Sequence, residues 1–373
     1  MGSLIQGWTE TNAPSNQLGY SASCVCNGYL YRFGGRDLVG TAYVDVEFSY
    51  IKLDHSLDEW QITTSLPLYE KSGYYYGRFS GRVCSADGYI YYTGGSYSTN
   101  GYSAISDILV AKPNSDGTIS GWAVLTNGLG LALYCHAMII KDNYMYIFGG
   151  TRGQRLSLNY NRYATIVGYS IGSWNCGDPL VEARYGHGFV EHDGYIYLQS
   201  GFLNRNTGER IQILPNKSTG TPEYDTNNIG SGEKFSIVTD DNNMISAGWA
   251  GGGSSSGFDD DNYSDEWTAE DVQFSEFINT ITFYDGYAYI IDAYTNAGTY
   301  TPKCYYSYLT DTTVIDVPDT EPEESIIYFK YENEEAIKES QKIKREDSKP
   351  KHKGKIVGVS GGMDFNNPLK YLQ

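Results

Sequence analysis

The sequence predicts an all-β fold: a six-bladed β-propeller of four-stranded blades, closed by its N-terminal strand and followed by an extended C-terminal tail. Three observations predict it. A hairpin signature recurs six times, an apolar strand precedes each copy, and a tryptophan opens a further strand after several of them.

The clearest signature is "DGYIYYTGG" at 87–95, which returns as "DGYIYLQSG" at 193–201 and "NGYLYRFGG" at 27–35. Asn-Gly and Asp-Gly tolerate the positive φ angles of a two-residue type I′ turn, and Tyr-aliphatic-Tyr alternates across a pleat. Looser copies are "DNYMYIFGG" (142–150), "DNNMISAGW" (241–249) and "DGYAYIIDA" (285–293). The starts lie 60, 55, 51, 48 and 44 residues apart, enough for one small sheet each. No such sheet buries a core alone, so the copies must pack on one another.

The strand before each hairpin is "SASCVC" (21–26), "GRVCSA" (81–86), "CHAMIIK" (135–141), "HGFVEH" (187–192), "KFSIVTD" (234–240) or "INTITFY" (278–284). A third strand follows most double glycines, as in "VEFSYIKL" (46–53), "SDILVAKP" (106–113), "YATIVGYS" (163–170), "ERIQIL" (209–214) and "CYYSYL" (304–309). Trp60, Trp122, Trp174 and, less clearly, Trp267 open a fourth.

At these residues the chain resembles the kelch and galactose-oxidase-like propellers, particularly the bacterial and bacteriophage tail-associated form in which "SDGTISGW" (115–122) links the third strand to the tryptophan of the fourth. "SLDEW" (56–60) and "SIGSW" (170–174) echo that link. The resemblance covers roughly residues 4–310 and is poorest in the fifth repeat. It implies a fold and leaves function to the sites.

If each tryptophan strand completes the sheet before it, "LIQGWTETN" (4–12) has no earlier sheet to complete, while the sixth repeat lacks a fourth strand. The N-terminal strand is therefore expected to fill that place, with "SIIYFKY" (325–331) as the competing candidate. Closure of this kind removes exposed sheet edges.

With 27 basic and 45 acidic side chains, the net charge is −18. Phosphate binding needs a basic surface, so nucleic acid is not an expected partner. No stretch of 18 apolar residues suggests a membrane span, and "MGSLIQGWTE" lacks the charged and apolar regions of a signal peptide. The six cysteines, Cys24, Cys26, Cys84, Cys135, Cys176 and Cys304, fall mostly in strands of different repeats and are expected to be reduced and structural rather than paired.

Of the 36 tyrosines, many are strand residues that pack between sheets. Others sit in the long connections that the strand order gathers on one face of the disc. Loops rich in Tyr, Ser, Gly and Asn suit recognition, because tyrosine offers a large rigid surface at small entropic cost. The candidate ligand-binding residues on that face are Tyr69, Tyr74, Tyr75, Tyr76, Tyr97, Tyr102, Arg152, Tyr160, Arg184, Tyr185 and Phe202. The alternative is that these loops are simply solvated.

No catalytic residues, metal or cofactor are predicted. A galactose-oxidase-like copper site would need two histidines, two tyrosines and a cysteine crosslinked to one tyrosine, all convergent. Of five histidines, His55 falls in a turn and His352 in the tail, while His136, His187 and His192 lie on or beside first strands, a common kelch placement. Glu182 and Arg184 in "VEARYGH" admit a mutarotase-like reading, but Arg-Tyr-Gly-His is ordinary repeat vocabulary. The acidic loop "FDDDNYSDE" (258–266) does not have EF-hand spacing and reads as a solvated loop.

The domains expected are a propeller over 1–318, a charged linker or helical tether over 319–355, and a docking segment over 356–373. Ile356, Val357, Met363, Phe365, Leu369 and Tyr371 in that last segment are the residues expected to dock a partner, as arms do in large assemblies.

These features together predict a non-catalytic binding or structural protein. Its most concrete form is a phage virion component, in a tail, baseplate or fibre, contacting a host-surface glycan or another virion protein. It would be made in the host cytoplasm and released by lysis. The alternatives are a cytosolic carbohydrate-active propeller enzyme such as a sugar mutarotase, and an intracellular kelch adaptor.

Overall fold

The protein is described here by a computed structural model covering residues 8–308, apart from 17, 38, 99–102, 127, 154–155, 202–206, 226–233, 240–243, 249–252, 257–267, 271–275, 278–279, 292–293 and 296–302; side chains are described outside 226–279 and 292–302. The chain divides into two compact units, Met1–Thr312 and Thr313–Gln373. The second unit lies outside the described residues, and with it the proposed tether, the docking residues 356–373 and the competing strand 325–331.

The first unit is all β, a propeller-like array of antiparallel sheets. The first sheet runs Ala22–Cys26, Tyr29–Arg36, Ala42–Tyr50, Gln61–Thr63, and the second Arg82–Ala86, Tyr89–Thr93, Ile108–Ala111, Ala123–Leu125. The fourth is Gly188–His192, Tyr195–Gln199, Gly208–Gln212, Glu223–Asp225, and the fifth Lys234–Thr239, Met244–Gly248, Gly253–Ser256, Thr268–Glu270. The sixth is Thr280–Tyr284, Tyr287–Ile291, Cys304–Tyr308, with Thr9–Thr11 as its outer strand.

The third sheet corrects the expectation of six four-stranded units. Ala137–Lys141 and Tyr144–Phe148 pair as expected, but Asn161–Val167 is long enough to hold two partners. Ile166 and Val167 pair with Ser170–Ile171, and Arg162 and Tyr163 pair with Asn175–Cys176. Among the described residues there are thus five four-stranded sheets and one five-stranded sheet, besides two two-stranded ones. In the fifth repeat the degraded signature still forms a sheet, with a register shift between Lys234 and Ser236.

The hairpin signature works as expected locally. Asn27 and Gly28 have φ of 53° and 78°, Asp87 and Gly88 50° and 75°, and Asp285 and Gly286 51° and 77°, as a type I′ turn requires. The double glycine has a different task. A Cβ on Gly94 would lie 2.3 Å from the Leu133 carbonyl oxygen, and one on Gly149 2.5 Å from that of Arg184. Only glycine lets the next repeat's connection approach this closely.

In the first three hairpins the second tyrosine reaches across to the following sheet. Tyr31 donates to the Gly117 carbonyl at 2.6 Å, Tyr91 to Gly168 at 2.8 Å and Tyr146 to Lys217 at 3.0 Å. In the opposite direction, the indole N–H of Trp122 donates to the Thr64 carbonyl and that of Trp174 to Gly128. Recurrence of the motif thus supplies an interlock at each of the first three junctions, a reason for the chain to repeat it.

Between sheets lies the apolar core. Tyr31, Phe33 and Phe48 pack with Val83, Ile90 and Tyr92; Tyr91 and Val110 with Met138 and Met145; and Tyr146 and Phe148 with Ile196 and Leu198. Leu30, Ile51 and Leu57 pack with Tyr289, Ile291 and Cys304. All six cysteines are free thiols: Cys24, Cys26 and Cys304 are buried, whereas Cys176 is exposed on the outermost strand of the third sheet. Burial pushes the Cys26 thiol up to about 11.

Candidate functional site

The first strands line an axis, and a collar forms where they begin. Tyr20, Ser80, Cys135 and Gly186, one from each of the first four connections, have φ of 58°, 54°, 51° and 62°. This conformation turns each N–H toward the preceding repeat: Ser80 donates to the Tyr20 carbonyl at 2.8 Å, Cys135 to Ser80 at 3.0 Å and Gly186 to Cys135 at 2.9 Å. The Arg36 guanidinium lies over this rim, 4.3 Å from the Tyr20 ring centre and 5.3 Å from that of Phe79.

Beside the collar, the connection from the first to the second sheet forms a small hairpin, Tyr69–Lys71 paired with Tyr74–Tyr76. The next connection, between the second and third strands of the second sheet, brings Tyr97 against it. The Tyr97 ring lies 5.2 Å from Tyr69 and 4.9 Å from Tyr76. Lys71 Nζ lies 5.3 Å from the Tyr97 ring centre, and a hydrogen bond to the Tyr97 hydroxyl holds the Lys71 ammonium above its ordinary pKa. Tyr74 and Tyr75, at the hairpin's end, are each 69% exposed.

Arg78 braces this cluster from beneath. Its guanidinium is buried, donates to the Pro67 carbonyl at 3.1 Å, pairs with Asp107 at 3.3 Å and lies 5.7 Å from the Tyr69 ring centre. The aromatic surface is therefore held by buried ionic contacts rather than by a free loop. Sequence reasoning missed Arg78 and Lys71, although "YEKSGYYYGR" carries both; the alternation of Tyr69, Lys71, Tyr74 and Tyr76 onto one hairpin face was the available signal.

The other candidates separate. Tyr102 and Phe202 lie outside the described residues. Arg152 is exposed and Tyr160 is packed on the core between the second and third sheets, with the Arg162 guanidinium 4.8 Å from its ring centre. Tyr185 is 8% exposed. Arg184, expected on the loop face, is instead wholly buried: it donates to the carbonyls of Ser200 and Thr207 at 3.0 Å and pairs with Glu209 at 2.6 Å. Glu209 in turn accepts the backbone N–H groups of Val181 and Glu182. Arg184 ties the connection to its sheet and leaves no guanidinium for a ligand.

His136 and His187 follow directly after the collar residues and are fully buried. His136 Nε2 lies 2.8 Å from Thr93 Oγ1, and desolvation pushes its pKa down to about 3. Desolvation likewise holds His187 well below its ordinary value. Glu182 accepts the Thr207 hydroxyl at 2.7 Å. Among the described residues no group of three or more His, Cys, Asp or Glu side chains is placed to hold a metal ion. Nor is any helix there long and apolar enough to cross a membrane.

No family model matches the chain and no curated protein matches it. A solved structure described as "Structure of YjhT" is similar in fold, with a TM-score of 0.53 over 82% of this chain and 95% of that one, at 13% identity. At that identity the likeness speaks for the β-propeller fold alone.

Proposed function

We propose that this chain is a non-catalytic binding propeller that presents the Tyr69–Tyr76–Tyr97 cluster to a glycan. The observation that carries this reading is the geometry of the cluster itself: the Tyr69 and Tyr76 rings both packed on Tyr97, an ammonium beside them, and two further tyrosines exposed at the tip. Rigid aromatic faces suit the flat C–H face of a sugar ring, and their phenol hydroxyls suit its hydroxyls. Binding to a protein partner is the alternative that the same test would reveal.

The scaffold in this reading is one closed six-bladed ring of kelch type. Its support is the junction between the sixth and first sheets, where Tyr289 donates to the His55 carbonyl, Trp60 Nε1 to the Asn12 carbonyl, and the Leu57 N–H to Thr11 Oγ1. These repeat the bonds of Tyr31, Trp122 and Ile119 at the first junction. The inner strands Ala22–Cys26 and Thr280–Tyr284 also pack side by side.

The non-catalytic part of the reading draws on the placement of His136, His187 and Arg184, all fully buried, with Arg184 already engaged by Glu209. Placement in a phage virion, with residues 356–373 docking a neighbouring particle protein, rests on the resemblance to tail-associated kelch repeats. A glycan array probed with the purified protein and with Tyr69→Ala/Tyr97→Ala tests the binding claim. Glycan binding lost in the variant supports it; wild-type protein that binds no glycan, or a variant that binds equally, sinks it.

A further inference from the structure

The axis carries a cavity of about 590 Å³, lined by the inner strands of the first, second, third, fourth and sixth sheets. Its wall combines the hydroxyls of Ser23, Thr280 and Thr282 with apolar groups such as Met138 and Phe189. The Ser23 hydroxyl lies 2.8 Å from Thr280 Oγ1 and 2.6 Å from Thr282 Oγ1, a polar patch beside apolar groups on a wall of mixed character. Among the described lining residues, Arg82 is the one formal charge.

Arg82 is half-buried and differs in its partners from the fully buried arginines. Arg32, Arg78 and Arg184 each meet a carboxylate, from Glu47, Asp107 and Glu209 respectively. Arg82 donates through Nε to the His136 carbonyl at 2.7 Å and lies 5.7 Å from the Phe189 ring centre, while its Nη2, closed off from solvent, has no hydrogen-bond partner. Among the described residues no carboxylate pairs with it. Removing even part of a guanidinium from water without a counter-charge is costly, and the cost falls when an anion arrives.

The chain has 45 acidic side chains, so a carboxylate partner was abundantly available by composition. Its absence beside Arg82 leaves one unneutralised positive charge at the wall of a cavity of ligand size. One such charge matches one negative charge better than two, and the apolar part of the wall, with Val83, Met138, Ile139 and Phe189, suits an organic body.

We propose that the axial cavity binds a small organic carboxylate, with Arg82 as its counter-ion. This site is distinct from the tyrosine cluster and stands whether or not that cluster binds glycan. The carboxylate meets the cavity-facing edge of the guanidinium, and its organic part lies along Met138 and Phe189. A ligand there would also link inner strands of several sheets, so binding should raise the stability of the whole array.

The test uses the full chain with benzoate as probe, against sodium chloride of equal ionic strength and inorganic phosphate. Millimolar benzoate should raise the wild-type melting temperature by about 2–4 °C above the chloride control. Arg82→Met should lose that rise, and without benzoate it should melt no lower than wild type, because an unpaired interior charge has been removed. Arg82→Lys should keep part of the response. No rise in wild type, an equal rise in Arg82→Met, or a response to phosphate alone would each overturn the proposal. If Arg82→Met fails to fold, the Arg82 Nε–H resonance of wild type, identified through Arg82→Lys, is titrated with benzoate, and a resonance that does not move overturns it.

Discussion

The Tyr289 hydroxyl donates to the carbonyl oxygen of His55 at 3.1 Å, joining residues 234 positions apart. The bond has the same form as those of Tyr31, Tyr91 and Tyr146 at junctions within the array. A local motif therefore makes its most distant contact with no change of chemistry. Tyr289→Phe should cost about 1–2 kcal/mol, since it leaves a partly buried carbonyl without its donor. Urea unfolding of Tyr289→Phe beside Tyr31→Phe checks this. Equal losses support one cooperative ring, whereas a silent Tyr289→Phe would mean that the sixth and first sheets are not coupled. Deleting residues 1–12 should cost far more, because it removes a whole outer strand, Thr9–Thr11, together with the acceptor for Trp60.

Arg184 and Glu209 are both fully buried, and each satisfies several backbone groups besides the other. Glu209→Ala should therefore cost about 3–5 kcal/mol, since it strands a buried guanidinium and two N–H groups. The double variant Arg184→Met/Glu209→Leu should lose less than the single one. Chemical denaturation measures both, and a double variant as unstable as the sum of the singles would argue against a coupled pair.

Acid should destabilise the protein through its buried histidines. His136 is neutral in the fold with a pKa near 3, against about 6.5 when unfolded, so the unfolded state takes up the proton first. Its contribution is fully present above about pH 6.5 and declines as pH falls toward 3. Between pH 6.5 and 4.5 this amounts to about 2–3 kcal/mol. His136→Gln should flatten that part of the stability profile; an unchanged slope would show that His136 is not its source.

Removing residues 356–373 should leave the melting temperature of the first unit nearly unchanged while abolishing incorporation into any assembly. If segment 319–355 acts as a flexible tether, its 37 residues would span roughly 30 to 35 Å, enough to reach a neighbouring subunit. Normal assembly by the truncated protein would exclude the docking role.

Much of the array was legible because its signals are local. Asp87–Gly88 and Asn27–Gly28 name their own turn, and Trp60, Trp122 and Trp174 mark where outer strands begin. The second partner of Asn161–Val167 was not legible, because pairing at Ser170–Ile171 depends on how far the third strand extends. In the candidate site, Tyr69, Tyr76 and Tyr97 share a sequence flavour with Tyr160 and Tyr185, yet only the first three come together. Nothing local separates them: their exposure depends on what the neighbouring sheet covers.

The sequence by itself determined the periodicity, the strand alternation and the turn chemistry, since these depend on residues within reach of one another along the chain. Tertiary structure alone decided the charges. Arg78, Arg82 and Arg184 occupy similar stretches of sequence just before or at the start of a first strand. Arg78 meets Asp107, Arg184 meets Glu209, and Arg82 meets no carboxylate among the described residues. The difference arises because a buried charge is governed by what the fold places within a few ångströms of it, and those partners come from other strands.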